Sequence, residues 1–501
     1  MAAFNVLNEP WIPVITVKGD HTDLSLRDTL VNAHELTEVC CENPLETYAL
    51  QRFLIAFLMD AYRLPHAGDR KKLYLSGKFD PAVIDGYIDL CKSEGVTFDL
   101  FDKERPFYQA AYNENYDSDK KKSIAIIFHA VPSGQNHLHF DHKPMKKCYP
   151  AQAFRALLSA QMFATAMAQG YPSSVNDTPC WYTLLKGHSL FETFCLSMLS
   201  VGECRGIDFD AALPAWRDVC VEIPKAEHAD VSMLEGLTFR PRRITLIPDR
   251  NGMISELYYQ QGQSFHPNGK WADPHVTYSV NKDGEYVSIK PKTGRTPWRD
   301  VGLYASSKED KYSKPAGIIR LSDNLLNRDT PRIIMLFGLV SDNAKYLDWQ
   351  FDTLSVPGEI LFDPEKADSL RSALQKTEQA AKCVYDTVNQ VANAAEHTKD
   401  AKKKSTAAAN EAQAKFFAVM HSVVFTNYMS ALAKADVRSR DWEEKPNEII
   451  KVKIKSAAAG IVGEYVQKLG NTARYLEKQT QMIKDFHKDL NSIFKERKVT
   501  E

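Results

Sequence analysis

Four side chains in one short loop, His137-x-His139-x-Asp141-His142, have the types and the spacing to hold a divalent cation. Imidazoles and a carboxylate are ligands that zinc accepts, and a zinc-bound water supplies hydroxide near neutral pH. Letter for letter this is the pattern of metallo-β-lactamase-type hydrolases, and Gly187-His188-Ser189 offers a further imidazole. One reading of the chain is therefore a zinc-dependent hydrolase. A helix-rich stretch separates His188 from the cluster, however, and such a site needs more His and Asp ligands from later strand ends. A polar surface loop accounts for the same letters. No phosphate-binding Gly-x-x-x-x-Gly-Lys-Ser/Thr, dinucleotide glycine fingerprint or Gly-x-Ser-x-Gly elbow occurs. Asp99, Asp102 and Glu104 form an acidic group without ligand spacing, so the chain reads as a non-enzyme.

The histidine cluster lies in the first of two polar loops that bracket an apolar helical run, AQAFRALLSAQMFATAMAQ. The second loop, GYPSSVNDTP, follows at the other end, and two loops held by one helix make a two-pronged reader of something bound. Upstream, Phe4–Val17 alternates β-branched residues around two prolines and reads as a strand, while Pro44–Arg63 carries apolar residues at helical spacing behind an N-terminal proline. Downstream, Leu237–Ile247 alternates like a strand, and Val276–Val280 with Tyr286–Ile289 forms a hairpin around Asn281-Lys-Asp-Gly-Glu285. Arg332–Leu339 and Trp349–Pro357 read as an outgoing and a returning strand, with Ser341–Ala344 at a projecting polar tip. From Gly358 the texture turns helical. Four segments, 368–395, 401–437, 447–469 and 472–498, predict an antiparallel four-helix bundle. The expected class is α+β: a mixed α/β domain over 1–357 and a bundle over 358–501.

Length supports this division, since 501 residues exceed what one core usually holds. With 44% hydrophobic and 10% aromatic residues the chain folds, and nine cysteines without a CxxC pair fit reduced thiols. No secretory leader or apolar run near twenty residues is evident, so the expectation is a cytoplasmic protein with no membrane partner. The formal net charge is −1, which confines any polyanion binding to local patches. Basic residues do cluster, at Lys120–Lys122, at Arg240, Arg242 and Arg243, at Lys402–Lys404, and at Lys451, Lys453 and Lys455. From Asp363 onward basic residues exceed acidic ones by five, so the helical part is the half expected to touch a polyanion.

Three stretches carry a family likeness: Asn5-Val-Leu-Asn-Glu-Pro-Trp-Ile-Pro-Val14, Phe98-Asp-Leu-Phe-Asp-Lys-Glu-Arg-Pro-Phe-Tyr-Gln109, and the loop–helix–loop ending Thr178-Pro179. With a β-rich middle and a helical C-terminal part, the chain resembles the large subunit of the type I-E Cascade complex, a CRISPR RNA-guided surveillance assembly. The resemblance implies a subunit without cofactor, whose partners are CRISPR RNA, the other Cascade subunits, target double-stranded DNA and a helicase-nuclease. It implies recognition of the protospacer-adjacent motif (PAM) from the minor-groove side and wedging of the duplex, while the guide reads sequence. Carried over by position, Phe140, Asp141 and His142 fall on a loop near the motif and the guide 5′ end. Ala168, Gln169 and Gly170 fall on a glycine loop approaching the groove. Gln261, Gly262 and Gln263 bracket the place of a basic finger whose lysine is missing here. Asp342, Asn343 and Ala344 fall on the wedge tip, with Asn343 in place of a glutamine, and Lys451, Lys453 and Lys455 are assigned to the displaced strand.

Overall fold

The computed structural model describes residues 3–129, 147–167, 170–176, 180–218, 227–305, 310–342, 345–395, 401–468 and 473–495. Two compact units divide the chain: 1–297 with 308–327 and 332–354, and 355–501 with 298–307 and 328–331. The second unit thus draws in two short segments from inside the first, a crossing that no local pattern announces.

In the first unit Ile12–Thr16 is the middle strand of three, flanked antiparallel by His21–Leu24 and Leu36–Val39. Trp11, fully buried just before it, donates its indole N–H to the Val6 carbonyl at 2.9 Å and packs 4.7 Å from the Phe154 ring. The helix Pro44–Tyr62 forms the centre of this unit. Asn43 caps it by accepting from the Leu45 N–H, Pro44 occupies the first turn where an N–H is unneeded, and Arg63 ends it in the left-handed region. It is apolar nearly all round because it is buried nearly all round. Its one interior cation, Arg52, meets Asp273 with two hydrogen bonds of 3.0 and 2.7 Å and also donates to the Gly236 and Leu237 carbonyls.

Two further sheets matter for the site. In one, Ile254–Gln261 runs between Lys121–Ser123 and Arg242–Pro248. The strand begins at Arg242 rather than Leu237, because Ser232 caps a short helix over Met233–Leu237. In the other, Trp181–Lys186 pairs antiparallel with Arg332–Asp342, which neighbours Lys345–Val356 on its far side. The last two strands are consecutive neighbours, so they form the outgoing and returning pair expected from sequence, while the tip residues 343 and 344 lie outside the described residues. Tyr278–Val280 and Tyr286–Ser288 form the smaller hairpin, with Gly284 at φ +84° in its turn.

The second unit contains long helices at Pro364–Ala395, Ala401–Ser422, Glu444–Gln467 and Ala473–Ser492. The second of these continues through a π-helical turn, Val423–Tyr428, into Met429–Lys434. By length and composition the run Lys403–Lys434 is apolar enough to cross a bilayer, though polar residues such as His421, Ser422, Thr426 and Asn427 interrupt it, in keeping with the expectation of no uninterrupted apolar run. Here Phe416, Met420, Val424, Tyr428 and Leu432 are buried within the unit. The drawn-in segment 298–307 packs there too: the Arg299 guanidinium sits 3.7 Å above the Phe417 ring and bonds both Glu378 oxygens.

Candidate nucleic-acid interface

Arg242 organises this region although its side chain is only 1% exposed. It leaves the start of its strand and donates to the carbonyls of Thr165 (2.6 Å) and Pro172 and to the Tyr259 hydroxyl (2.8 Å). Its guanidinium also lies 5.3 Å from the centre of the Tyr171 ring, which stacks on Tyr259. Gln161, at the end of helix Pro150–Met162, brackets the Arg242 backbone with one donated and one accepted bond. Both ends of the loop after that helix are therefore tied down. Within it, the Met167 N–H donates to the Tyr171 carbonyl, and the turn so closed carries Gly170 exposed at φ +78°. A side chain is strained at that angle, so glycine has a conformational reason to be there. Farther along, Asn176 bonds Asp273, Tyr182 and Trp271, joining the loop to the buried Arg52 network.

Gly170 faces Gln261. A Cβ built on Gly170 would lie 3.3 Å from the Gln261 side-chain nitrogen, so two stretches some ninety positions apart in sequence meet here. The Gln261–Gln263 turn does not project as a finger. The Gly262 and Gln263 N–H groups donate to the carbonyls of Pro241 and Arg240, and a Cβ on Gly262 would be 2.4 Å from the Arg240 oxygen. The Gln263 side chain accepts from the Arg240 N–H, and both glutamines are buried. Of the three, Gln261 alone is brought to the glycine loop.

The hairpin of Arg332–Asp342 and Lys345–Val356 brings one residue to the same neighbourhood. Tyr346, just past the tip, lies 4.8 Å from the His129 ring, and burial raises its phenol pKa beside Tyr259, Thr165 and Arg242. Asp342 is exposed at the end of the outgoing strand. His129 bonds the Ser159 hydroxyl at 3.1 Å, and burial, with Arg242 nearby, pushes its pKa down to about 4. Asn343, Ala344, Ala168 and Gln169 lie outside the described residues. So do Phe140, Asp141 and His142, together with His137 and His139 of the cluster. His129 and Lys147 mark where the described chain enters and leaves that loop, and Lys147 pairs with Asp249. Among the described residues no group of three or more His, Cys, Asp or Glu side chains is placed to hold a metal.

The basic groups read from sequence divide sharply. Arg240, Arg242 and Arg243 are all buried and face inward, Arg240 toward Asp218 and Arg243 toward Asp117. Neither a solvated face nor a phosphate patch describes them, because each found a carboxylate or carbonyl inside. Their signal was the alternation RRITLI, which marks a strand rather than a charged surface. In the second unit Lys451 pairs with Glu448 at 2.9 Å, and Lys455 sits 5.5 Å over the Phe494 ring. Lys453, exposed, lies about 200° around the helix from Lys451, so the three do not share one face. Tyr346 and His129 were not singled out in the sequence, and only proximity reveals them.

A family model described as CRISPR-associated protein Cse1 matches residues 5–455. The chain belongs to the Cse1 family. This is the large-subunit family to which the opening Trp-Ile-Pro-Val strand pointed. A Cse1-family relative from Thermus thermophilus, CRISPR-associated protein CasA/Cse1, is 27% identical over 423 residues, covering 78% of each chain. The crystal structure of Cse1 from Acidimicrobium ferrooxidans matches with a TM-score of 0.79 at 19% identity, covering 98% of both chains. A chain from a CRISPR RNA-guided surveillance complex matches at TM-score 0.77 and 17% identity, covering 99% of this chain and all of that one. At such identities these structures share the Cse1 fold.

Proposed function

We propose that this chain is the non-catalytic large subunit of a type I-E CRISPR RNA-guided surveillance complex, and that it reads the PAM and opens target DNA. The observation that carries the reading is the convergence of the Gly170 turn, Gln261 and Tyr346, next to the 342–345 turn, around Arg242. One rigid base then presents a reader and a wedge side by side. The minor groove distinguishes A·T from G·C by few donors and acceptors, so a bare backbone turn and an amide suit it better than a guanidinium does. Arg242 is engaged within the protein and His129 is neutral at physiological pH, so neither presents a charge to the groove. Pinning the loop beforehand removes an ordering cost from binding. Unstacking a base step costs a few kcal/mol, which pairing with the guide offsets once the first bases open.

In this reading Asn343 takes the glutamine's place at the tip, since an amide both donates and accepts. Phe140, Asp141 and His142 lie near the guide 5′ end. The C-terminal helices form an antiparallel four-helix bundle that steadies the displaced strand, and the assembled complex, with CRISPR RNA and the other Cascade subunits, admits a helicase-nuclease. Asn343→Ala in the assembled complex is expected to weaken binding to motif-bearing duplex about tenfold, roughly 1.4 kcal/mol, with much less effect on a pre-melted target. Equal loss on both targets in a filter-binding titration would remove the wedge assignment.

A further inference from the structure

The smaller hairpin belongs to a three-stranded sheet that shares no residue with the Arg242 region. Its strand Tyr278–Val280 lies between Tyr286–Ser288 and a third short strand, Ser313–Lys314, both antiparallel to it. Val280 is opposite Tyr286, and its N–H donates to the Tyr312 carbonyl at 3.0 Å, so Tyr286, Val280 and Tyr312 form one row across the sheet. Tyr278 and Lys314, paired in the next row on the same side, share that face. The two outer rings are uncovered, Tyr286 being 41% exposed and Tyr312 43%. Each has an ammonium group beside it, Lys314 at 5.9 Å from the Tyr286 ring centre and Lys311 at 5.0 Å from that of Tyr312.

Tyr278 and Lys314 also line a cavity of about 200 Å³, together with Arg205, Ile207, Met233 and Arg320. Two carboxylates reach the same cavity, but both are neutralised from behind: Glu203 is paired with Arg70 at 2.7 Å and Asp273 with Arg52 at 2.7 Å. Arg205 is exposed and has no carboxylate partner among the described residues. The acids closest in sequence to the rings are engaged locally. Asp310 accepts from the Tyr312 and Ser313 N–H groups at 2.8 and 2.9 Å, and Glu285 accepts from the Asn281 amide at 3.2 Å. The cavity mouth is therefore cationic beside a face that is aromatic. A purely apolar partner gains nothing from the cations and a bare anion nothing from the rings. A ligand with both a flat π-face and a negative charge uses both.

We propose that this face binds one nucleotide unit, its base stacked on the Tyr286 ring and its phosphate held by Lys314 and Arg205 at the cavity mouth. A free nucleotide and one link of a single strand offer the same base and phosphate, and the test separates them. The full chain is irradiated with a short oligothymidylate carrying iodouracil, and the crosslinked peptides are sequenced. Crosslinks are expected on Tyr286 or Tyr312. Tyr286→Leu combined with Tyr312→Leu is expected to weaken oligothymidylate binding about tenfold, the loss of one stacked base. Arg205→Ser, at an exposed position that the fold does not depend on, is expected to flatten the log–log salt dependence by about 0.7, one single-strand phosphate, and it serves as the test if the tyrosine variant does not fold. Adenosine monophosphate that displaces the probe as well as unlabelled strand does, nucleotide for nucleotide, assigns the face to free nucleotides. Displacement by unlabelled strand alone assigns it to a strand unit. Crosslinks confined to other peptides would overturn the proposal. So would an unchanged salt slope in Arg205→Ser, or inorganic phosphate that competes as well as the nucleotide, since the rings then take no part.

Discussion

Arg52 and Arg242 are both buried arginines, and each is matched to acceptors in a different way. Arg52 meets a carboxylate besides two carbonyls, whereas Arg242 meets carbonyls, a tyrosine hydroxyl and one tyrosine ring. The second holds the loop directly, the first through Asp273 and Asn176. His129, beside that region, gives a residue-scale prediction. Folded His129 stays neutral down to about pH 4, while the unfolded chain takes up the proton near its ordinary value of 6.5. Between these values the unfolded state binds more protons, so stability is intact above about pH 6.5 and falls as pH drops toward about 4. The loss is on the order of 3 kcal/mol for this imidazole. Urea midpoints measured at about pH 7.5 and about pH 4.5 are expected to lie closer together in His129→Gln than in the parent. The slope is not expected to vanish, because His275 is likewise buried with its pKa lowered to about 4.

At the scale of elements, the Gly170 turn and the basic helix behave differently under substitution. Gly170→Ala places a Cβ at φ +78° and 3.3 Å from Gln261, costing about 1 kcal/mol of stability. If the turn approaches the groove, duplex affinity falls about tenfold while the melting temperature shifts by only a few degrees, and paired binding and melting curves check this. On the helix Glu444–Gln467, Lys451 and Lys455 are already engaged with Glu448 and Phe494. Lys453 is therefore expected to supply most of any contact with the displaced strand. Lys453→Ala should flatten the salt dependence of binding by about 0.7 in the log–log slope, one single-strand phosphate, whereas Lys451→Ala should change it less.

For the molecule as a whole, the second unit is discontinuous in sequence. Trp298 packs on Phe417 and His421, Arg299 clamps Glu378, and Gly358 lies so close to Arg328 that a Cβ would sit 1.9 Å from its carbonyl oxygen. A fragment beginning at Ser355 loses all three supports. Its amides in 364–395 are expected to exchange hydrogen markedly faster than the same amides in the full chain, and equal protection would show that the helices stand without the drawn-in segments.

Local pattern alone determined the buried helix behind Asn43 and Pro44, the hairpin returning after Asp342, the smaller hairpin at Gly284 and the long C-terminal helices, because each is written in nearest-neighbour periodicity, caps and turns. The family, too, was legible from the opening strand and the order of elements. Tertiary structure alone decided that Gly170 meets Gln261, that RRITLI turns its arginines inward and that Trp298 belongs with helices more than sixty residues later. Those facts depend on which distant acceptor or ring a side chain finds, and sequence spacing does not encode the partner's address. Trp349 and Phe351 belong to the same class: alternation puts them on one face of the returning strand, and only the packing shows that face left partly uncovered.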